Sequence, residues 1–439
     1  MLKCDLLVDS KDLRATLLKL KKDEDFTILL DMTAVDYSKF PDSTPSRFAV
    51  VYVLRSSDFK KETTVKAFVS DETLSVDTVS DIFPSANWAE REAYDQYGVI
   101  FLNHPNLKRV LNHKQFIGHP LRKDYKITQG QICTETEDLM DEMLPLLKSK
   151  GYTDEEIADL MLLNVGPSHP ASHGTIRNFV ALEGETIAAC VTEIGYLHRG
   201  FEKACEHHTY SQVIPYTDRL NYCSAILNNI GWAKAIEDMM KIEITPRAKM
   251  IRVVIGELSR IIDHFVCNAA NMVDLGGLTS LWYLFGARDQ AYDLLSKLTG
   301  ARLTNTYTRI GGLEFDLYDG FDKDLEEVLK TSEKAIEDVL SLIAHNKLFH
   351  DRTQDVGVIK ADFALANGIS GPNLRAAGVA HDLRKDKPYY GYENFDFDLV
   401  IGSHGDVYDR MMCRFEESIQ SIKIIRQAMK NMPDGAINV

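Results

Sequence analysis

The sequence predicts an α/β N-terminal domain followed by a mainly α-helical C-terminal domain with a small β-region at its start. Short runs of β-branched and apolar residues, typical of strands, lie within residues 1–125. Long stretches with apolar residues at helical spacing follow from about residue 200. The chain of 439 residues is long enough for two or three domains, each with its own core.

The N-terminal domain, residues 1–125, is predicted to contain both helices and strands. Helices are expected at 5–22 and at 74–82, and the second should end before Pro84 because a residue that precedes proline avoids the helical conformation. Apolar runs rich in β-branched residues predict three strands, at 26–30, 49–54 and 63–69. A loop is expected at Pro41–Pro45, between the first and second of these strands.

Residues 126–160 are predicted to be an acidic, partly helical linker. Amphipathic stretches cover Glu137–Lys150 and Thr153–Leu163, and the Thr153 to Glu156 spacing is that of a capping box at a helix start. The simplest interpretation of the linker's charge is a solvated face.

The helical domain is predicted to cover residues 161–439. It should begin with a strand pair, 179–182 and 187–193, before helices at 203–215, 218–239, 247–272, 284–299, 322–347 and 405–430. In the third helix one apolar stripe is formed by Ile251, Ile255, Leu258, Ile262 and Phe265. Glu257, Arg260 and His264 share a different face, which is either polar surface or a charged site.

Bulk properties exclude several classes of protein. A net charge of −15 and a pI of about 5.4 argue against nucleic-acid binding, which needs a concentrated basic face. No stretch approaches the roughly 18–20 apolar residues of a membrane span, and the N-terminus lacks the pattern of a signal peptide. The chain is therefore expected to be soluble and cytoplasmic, meeting a membrane only through a partner.

The 7 cysteines are scattered and include no C-x-x-C pair. Because iron–sulfur clusters are usually held by closely spaced cysteines, we expect no such centre and no other cofactor bound by this chain alone. The cysteines are expected to be reduced thiols that pack as small apolar side chains.

The first dense polar cluster lies at residues 88–125. It contains WAEREAYDQYGVIF at 88–101 and GHPLRKDY at 118–125, a charged helix face that meets a glycine turn and then a loop with His-Pro steps. No companion ligands lie at helical spacing, so a docking surface with interlocked hydrogen bonds is favoured over a metal site.

The second cluster, GPSHPASHG at 166–174, contains two histidines four residues apart. Pro170 prevents His169 and His173 from sharing one uninterrupted helix face, and the glycines indicate a turn between two strands. An imidazole on such a loop can donate a hydrogen bond and change protonation near neutral pH. An ordinary hairpin, whose histidines satisfy backbone groups, is the alternative.

The third cluster covers residues 195–222 and includes the adjacent pair His207 and His208. Neighbouring side chains on a helix diverge by about 100 degrees, so the pair makes a poor chelate. We therefore predict polar helix surface here and no metal site in the chain.

Together the three clusters resemble a known family. Residues 88–125 are similar to the signature of the C subunit of NADH-quinone oxidoreductase (respiratory complex I). Three further stretches resemble the D subunit of that enzyme: GPSHPASHGTIR (166–177), IGYLHRGFEK (194–203) and HTYSQVIPYTDRLNY (208–222). Similar stretches continue to Gly405–Met411, so the chain resembles a fusion of the two subunits over nearly its whole length. The D subunit normally continues for on the order of a hundred residues after a helix such as Ser418–Lys430, and this sequence does not contain them.

The resemblance implies that the chain forms one wall of a quinone reduction site. In this family the residues that match His173 and Tyr222 are polar contacts of the quinone head group. An imidazole and a phenol can stabilise the two oxygens as negative charge develops, and can pass protons to them. The carboxylate that matches Asp274 is then a partner for His173. A turn-forming aspartate is the alternative for Asp274.

Partners and location are also implied by the resemblance. His264, Arg199, Arg219 and Arg260 are candidates to face a 4Fe-4S cluster on an adjacent iron–sulfur subunit, although these arginines could also bridge structural carboxylates. Other subunits, including a membrane arm, would hold the chain peripherally on the cytoplasmic side of the inner (plasma) membrane. The D subunit is also similar to the large subunit of nickel–iron hydrogenases, whose metal-binding C-x-x-C pairs are missing here.

Two other functions stay open at this point. The chain has no G-x-G-x-x-G nucleotide fingerprint, so the electron donor binds elsewhere, and a ferredoxin- or deazaflavin-linked membrane oxidoreductase would need the same subunit. A non-catalytic scaffold subunit is the second alternative, against which the presence of His173, Tyr222 and Asp274 argues.

Overall fold

A computed structural model describes residues 4–136 and 138–439. The chain divides into two compact units, described separately below. Unit 1 runs to Glu206 and includes Ala366–Gly368, and unit 2 comprises His207–Leu365 and Ile369–Val439. The N-terminal part is rich in strands and the C-terminal part is helical, which confirms the predicted α/β and α-helical classes. In the described ranges, no helix is both long and apolar enough to cross a membrane.

Unit 1 contains a 4-stranded sheet with the order β1-β4-β3-β2. β1 is parallel to β4, and the other neighbouring strands are antiparallel. Helix α1 (Leu13–Asp23) packs against this sheet through Leu13, Leu17 and Leu20. The strands are β1 (Leu6–Asp9), β2 (Ile28–Asp36), β3 (Phe48–Arg55) and β4 (Glu62–Val69).

The strand predictions at 26–30, 49–54 and 63–69 are confirmed with somewhat different ends. The helix prediction at 5–22 is correct only for its later residues, which form α1 (Leu13–Asp23), and the helix prediction at 74–82 is wrong. The first residues of the predicted helix 5–22 form β1 instead, since Leu6–Asp9 pair with Val65–Phe68. The predicted helix 74–82 contains strand β5 (Ser75–Asp77), which pairs in parallel with β6 (Ile100–Leu102). In both places a long-range strand pairing overrides a short local pattern.

Helix α2 (Ala86–Tyr97) ends where the sequence predicts a glycine turn. Gly98 has φ +77°, a left-handed conformation that favours glycine, and a Cβ atom there would lie 2.3 Å from a guanidinium nitrogen of Arg122. The carboxylate of Asp95 accepts hydrogen bonds from the backbone of Leu111 (2.9 Å) and Asn112 (2.8 Å) and from the Arg109 side chain (2.6 Å). The loop after α2 is thus held by the interlocked hydrogen bonds expected of this cluster.

The linker contains the two helices that were predicted, within shorter bounds. These are α3 (Met140–Ser149) and α4 (Asp154–Asp159), and Thr153 and Glu156 form the expected capping box. Glu137, the first residue of the predicted stretch, lies outside the described residues, as do residues 1–3.

The strand pair of the predicted C-terminal domain belongs to unit 1. β7 (Met161–Val165), β8 (Arg177–Glu183) and β9 (Thr186–Glu193) form an antiparallel sheet. Its inner face packs on the linker helices through Leu139, Met143, Leu147, Ile157, Phe179, Ala181, Ala188, Ala189 and Val191. Because of this shared core, the predicted boundary at residue 160 does not coincide with the division between the units. Helix α5 (Phe201–Cys205) closes unit 1.

Unit 2 is built around helix α8, whose predicted apolar stripe is fully buried. α8 packs against α7, α9 and α15, and β10 pairs with β11. Its elements are α6 (Tyr210–Thr217), α7 (Ala225–Met240), α8 (Pro246–Asp274), α9 (Leu278–Thr299), β10 (Thr308–Arg309), β11 (Gly312–Leu313), α10 (Phe321–Ile343), α11 (Lys347–Thr353), α12 (Ala361–Ala366), α13 (Gly371–Ala376), α14 (Leu383–Asp386) and α15 (Val407–Lys430).

Two of the predicted helices are interrupted. The predicted helix 203–215 is divided into α5 and α6 between residues 206 and 209, where Thr209 forms a capping box with Gln212. The predicted helix 218–239 starts only at Ala225, because residues 218–224 form a turn instead. The short helices α11 to α14 were not predicted, since each is shorter than the window that shows helical periodicity.

Candidate functional site

His173 lies on the loop between β7 and β8 in unit 1, as the sequence predicts. It follows a single 3₁₀ turn, Pro170–Ser172, and has φ +48°, which is unusual for a residue with a side chain. His169 caps that turn, since its Nδ1 accepts a hydrogen bond from Ala171 N (3.1 Å). The His173 side chain is exposed. The loop therefore gives the two histidines different roles: His169 shapes the turn and His173 faces outwards.

Tyr222 and Arg219 lie on the turn between α6 and α7 in unit 2. We call Asp218–Ser224 the site turn. Tyr222 is 54% exposed and begins a single 3₁₀ turn, Tyr222–Ser224. The Arg219 side chain is about half exposed, and its guanidinium donates to Pro215 O (2.7 Å). Both side chains are presented at the surface of unit 2.

Asp274 is the last residue of α8, one position before the glycine-rich loop in which the sequence places it. Its side chain is exposed. The loop that follows, Leu275–Ser280, forms a wall of a cavity of about 310 Å³ that Phe349 also lines. Asn221 of the site turn contacts Asp263 of α8 (3.2 Å). Asp274 is 11 residues further along that helix, which corresponds to about 16 Å of helix axis.

The face of α8 that carries Glu257, Arg260 and His264 is a buried charged cluster rather than polar surface. Nε2 of His264 lies 2.9 Å from Oε2 of Glu417 on α15, and His264 is only 5% exposed. Burial lowers the pKa of His264, and Glu417 offsets this only in part. This position argues against a direct contact between His264 and a group on a partner subunit.

Glu257 is the centre of this cluster. It accepts hydrogen bonds from Arg384 (2.9 Å), Ser421 (2.6 Å), Tyr392 (2.5 Å) and Arg260 (3.3 Å). Burial by itself would raise the pKa of Glu257, but the two guanidiniums and the hydroxyls outweigh it and lower the pKa to about 2. Arg260 thus pairs with one structural carboxylate, that of Glu257.

Sequence reasoning missed the partners that α8 finds in the later part of the chain. Arg375 donates to Glu417 (2.6 Å), and Arg384 makes a paired contact with Asp382 (2.7 Å at the closest). The stretches at 374–379 and 382–385 stand out in the sequence only through their family resemblance. In Leu374–Val379 a single arginine stands in an otherwise apolar segment, whereas Asp382–Lys385 is mostly charged. Neither segment indicates burial until α8 is known to pack there.

Arg199 belongs to unit 1. It is exposed and stands just before α5, whose first turn follows Gly200. The structure therefore places Tyr222 and Arg219 on one turn and Arg260 and His264 in one buried cluster. Asp274 lies at the end of α8, and His173 and Arg199 lie on exposed segments of unit 1.

A second cleft was not predicted from the sequence. It has a volume of about 780 Å³ within unit 1 and is lined by Arg14, Asp81, Asn87 and Trp88, among others. Beneath it, the buried Glu90 of the first motif accepts a hydrogen bond from Val79 N (2.8 Å). Burial raises the pKa of Glu90 to about 7, although its hydrogen bonds work in the opposite direction.

No group of three or more histidine, cysteine, aspartate or glutamate side chains is arranged to hold a metal ion in the described parts of the chain. The candidate residues are donors and acceptors of hydrogen bonds and protons. Their chemistry suits the binding of a polar head group.

Two families of known proteins match the sequence. The model of the respiratory-chain NADH dehydrogenase 30 Kd subunit matches residues 6–131, and that of the 49 Kd subunit matches residues 274–439. A protein from Bdellovibrio bacteriovorus, named as the C/D subunit of NADH-quinone oxidoreductase, is 46% identical over 98% of this chain and 75% of its own length. Proteins of the same name from Psychrobacter cryohalolentis and Psychrobacter arcticus are 38% identical over 97% of this chain and 74% of their own lengths.

Proposed function

The chain belongs to the family of fused C/D subunits of NADH-quinone oxidoreductase, and we propose that it forms one wall of the quinone reduction site. The observation that carries the proposal is the exposure of Tyr222 on a turn that is held by hydrogen bonds from α7. A phenol that served only to fill the core would be buried. The exposed His173 on its short capped loop adds a second donor.

In the proposed reaction a quinone takes up two electrons and two protons and becomes a quinol. Donors that are already in place where negative charge develops lower the barrier, because no reorganisation is needed during reaction. The imidazole of His173 and the phenol of Tyr222 are each proposed as donors to a carbonyl oxygen of the quinone head group. The carboxylate of Asp274 is proposed as a carrier of protons for the reaction.

Electrons would come from a 4Fe-4S cluster on a neighbouring iron–sulfur subunit. We infer that this subunit and a membrane arm are the partners of the chain. The assembled enzyme would then hold it peripherally on the cytoplasmic side of the inner (plasma) membrane and couple quinone reduction to proton translocation. Arg199 and Arg219, both exposed, are the arginines best suited to face the partner's cluster. The helical unit would share the fold of hydrogenase large subunits.

The proposal is tested by replacing His173 with asparagine in the assembled complex. Asparagine tolerates the left-handed backbone conformation of this position, so the loop keeps its shape while the imidazole is lost. We expect electron transfer to quinone to fall about 100-fold, the usual contribution of a general acid. Transfer to a hydrophilic acceptor that takes electrons upstream should not change.

The exposed His207 gives a matched control, because His207→Ala removes an imidazole outside the proposed site. Native gels show whether each variant complex is fully assembled. Normal quinone reduction by an assembled His173→Asn complex would remove His173 from the site, and a scaffold role would then be the better account.

A further inference from the structure

A buried carboxyl group lies directly beneath the exposed part of the site turn. Asp218 is 0% exposed, whereas Arg219, the next residue, and Tyr222 are about half exposed. A carboxyl in such a place is costly unless it is held by hydrogen bonds or paired with a charge. Its partners therefore indicate what it is for.

The main partner of Asp218 is Asn229, which is fully buried on α7. Its amide nitrogen donates to Oδ1 of Asp218 (2.6 Å) and to the hydroxyl oxygen of Thr217 (3.0 Å). One side chain of α7 thus fixes the end of α6 and the start of the site turn. Burial raises the pKa of Asp218, which the contacts with Asn229 and Arg219 and the backbone N–H of Thr306 offset only in part.

The outer side of the site turn is fixed by a second set of amide contacts. The side chain of Asn228 donates to Asn221 O (3.1 Å), and the side chain of Asn221 donates to Ser224 (2.7 Å) and to Asp263 on α8 (3.2 Å). Consecutive asparagines on α7 therefore hold the inner and outer sides of one turn. Tyr222 directly follows Asn221, the outer point of attachment.

One oxygen of each inner residue remains unpaired. Oδ2 of Asp218 and Oδ1 of Asn229 are buried and have no hydrogen-bond partner in the described structure. The nearest cation to Oδ2 is the guanidinium of Arg219, at 3.6 Å. Buried polar groups without partners are rare and reduce stability. Asn229 and Arg219 thus supply the contacts that hold the Asp218 carboxyl in place.

We propose that Asp218 and Asn229 are positioning residues of the quinone site. They hold the site turn from below so that the Tyr222 phenol and the Arg219 guanidinium keep a fixed place at the surface. The inference rests on the proposed function, because it assigns a purpose to the placement of Tyr222. A displacement of about 1 Å at a reacting group can lower a rate by as much as 100-fold, so small changes beneath the turn should be visible in activity.

The test is a double-mutant cycle in the assembled complex that combines Asn229→Ala with Tyr222→Phe. Asn229→Ala alone should lower kcat for quinone reduction about tenfold. In the Tyr222→Phe background the same change should have an effect of less than about twofold, because the Tyr222 hydroxyl, through which the loss of Asn229 acts on the rate, is already gone. Asp238→Asn, an exposed change on the same helix, serves as the control and should leave activity unchanged.

A conservative replacement of Asp218 distinguishes the loss of its contact with Asn229 from a general disruption of the site turn. Asp218→Asn keeps the oxygen that accepts from Asn229 and should retain most of the activity, whereas Asp218→Leu should not. Should Asp218→Leu fail to assemble, Asn229→Ala and Asp218→Asn still decide the question.

Three outcomes would overturn the inference. Equal losses from Asn229→Ala in both backgrounds would show a general structural role. Normal activity of Asn229→Ala, in a complex where Tyr222→Phe is impaired, would refute the positioning role and leave the proposed function standing. Normal activity of Tyr222→Phe would instead refute the place of Tyr222 in the proposed function itself.

Discussion

Replacement of Tyr222 by phenylalanine is expected to lower quinone reduction by the assembled complex about 100-fold, the usual loss when one donor to a developing oxyanion is removed. The change deletes a single hydroxyl from a side chain that is 54% exposed, so little packing is lost. The rate is measured with a short-chain quinone at saturating concentration. The loss should appear in kcat more than in KM, since the donor acts mainly on charge that develops during the reaction.

Tyr210→Phe provides the matched control for this variant. Tyr210 is 49% exposed and is the first residue of α6, the helix that precedes the site turn, so it has similar exposure without the proposed role. We expect near-normal quinone reduction in this control. Similar losses in both variants would mean that the assay reports surface aromatic residues in general and not a specific proton donor.

The second large effect concerns stability. Arg384→Met is expected to destabilise unit 2 by about 3–5 kcal/mol, because it leaves Glu257 and Asp382 buried without their principal cation. Methionine fills much of the same volume, so the loss reflects charge and not a cavity. Hydrogen exchange of amides in α8 and α15 should accelerate about 100-fold or more, following the change in free energy of local opening.

Arg302→Met is the control, since the Arg302 side chain is 57% exposed and its nearest carboxylate oxygens are 3.9 Å and 4.0 Å away. An exposed pair of this kind contributes at most about 1 kcal/mol. Unchanged exchange in α8 and α15 of Arg384→Met would contradict the account of the buried cluster.

The stability that the same buried cluster contributes is expected to depend on pH. The pKa values of Glu257 and Glu417 are both lowered to about 2, by charged and hydrogen-bonding neighbours that outweigh the effect of burial. A carboxylate whose pKa is lower in the folded state stabilises the fold above its unfolded pKa, about 4.3 for glutamate, and loses that contribution as pH falls towards its folded pKa. The free energy of local opening is obtained from exchange rates divided by the intrinsic rate at each pH. Its decrease between pH 4.5 and 2 should therefore be smaller in Arg384→Met than in the parent chain.

Much of the fold could be predicted from local patterns. The strand β3 and the helices α8 and α15 are long or strongly apolar, and their bounds fall within a few residues of the predictions. β1 and β5 could not be predicted, because each is a short segment whose extended conformation depends on a distant partner strand. The break at the site turn also depends on contacts with α7 and α8, which no local pattern reveals.

The residues of the candidate site also divide into those that the sequence indicates and those that only the packed structure reveals. His173 and Tyr222 can be singled out from the sequence only through the family resemblance of the motifs that contain them. Asp218 lies in one of these motifs, but nothing in the sequence pairs it with Asn229, because an aspartate and an asparagine 11 positions apart look like ordinary polar residues until α6 and α7 are packed together. His264, named as a candidate on a helix face, lies buried beside Glu417, which no local pattern indicates.

Photolabelling of the intact complex with an azido-quinone tests the central claim most directly. We predict that labelled peptides of this chain come from the His173 loop, residues 166–176, and from the site turn, Asp218–Ser224. Excess unmodified quinone should suppress both labels. Labelling confined to other subunits, or labelling of this chain that excess quinone does not suppress, would contradict the claim that this chain forms a wall of the quinone site.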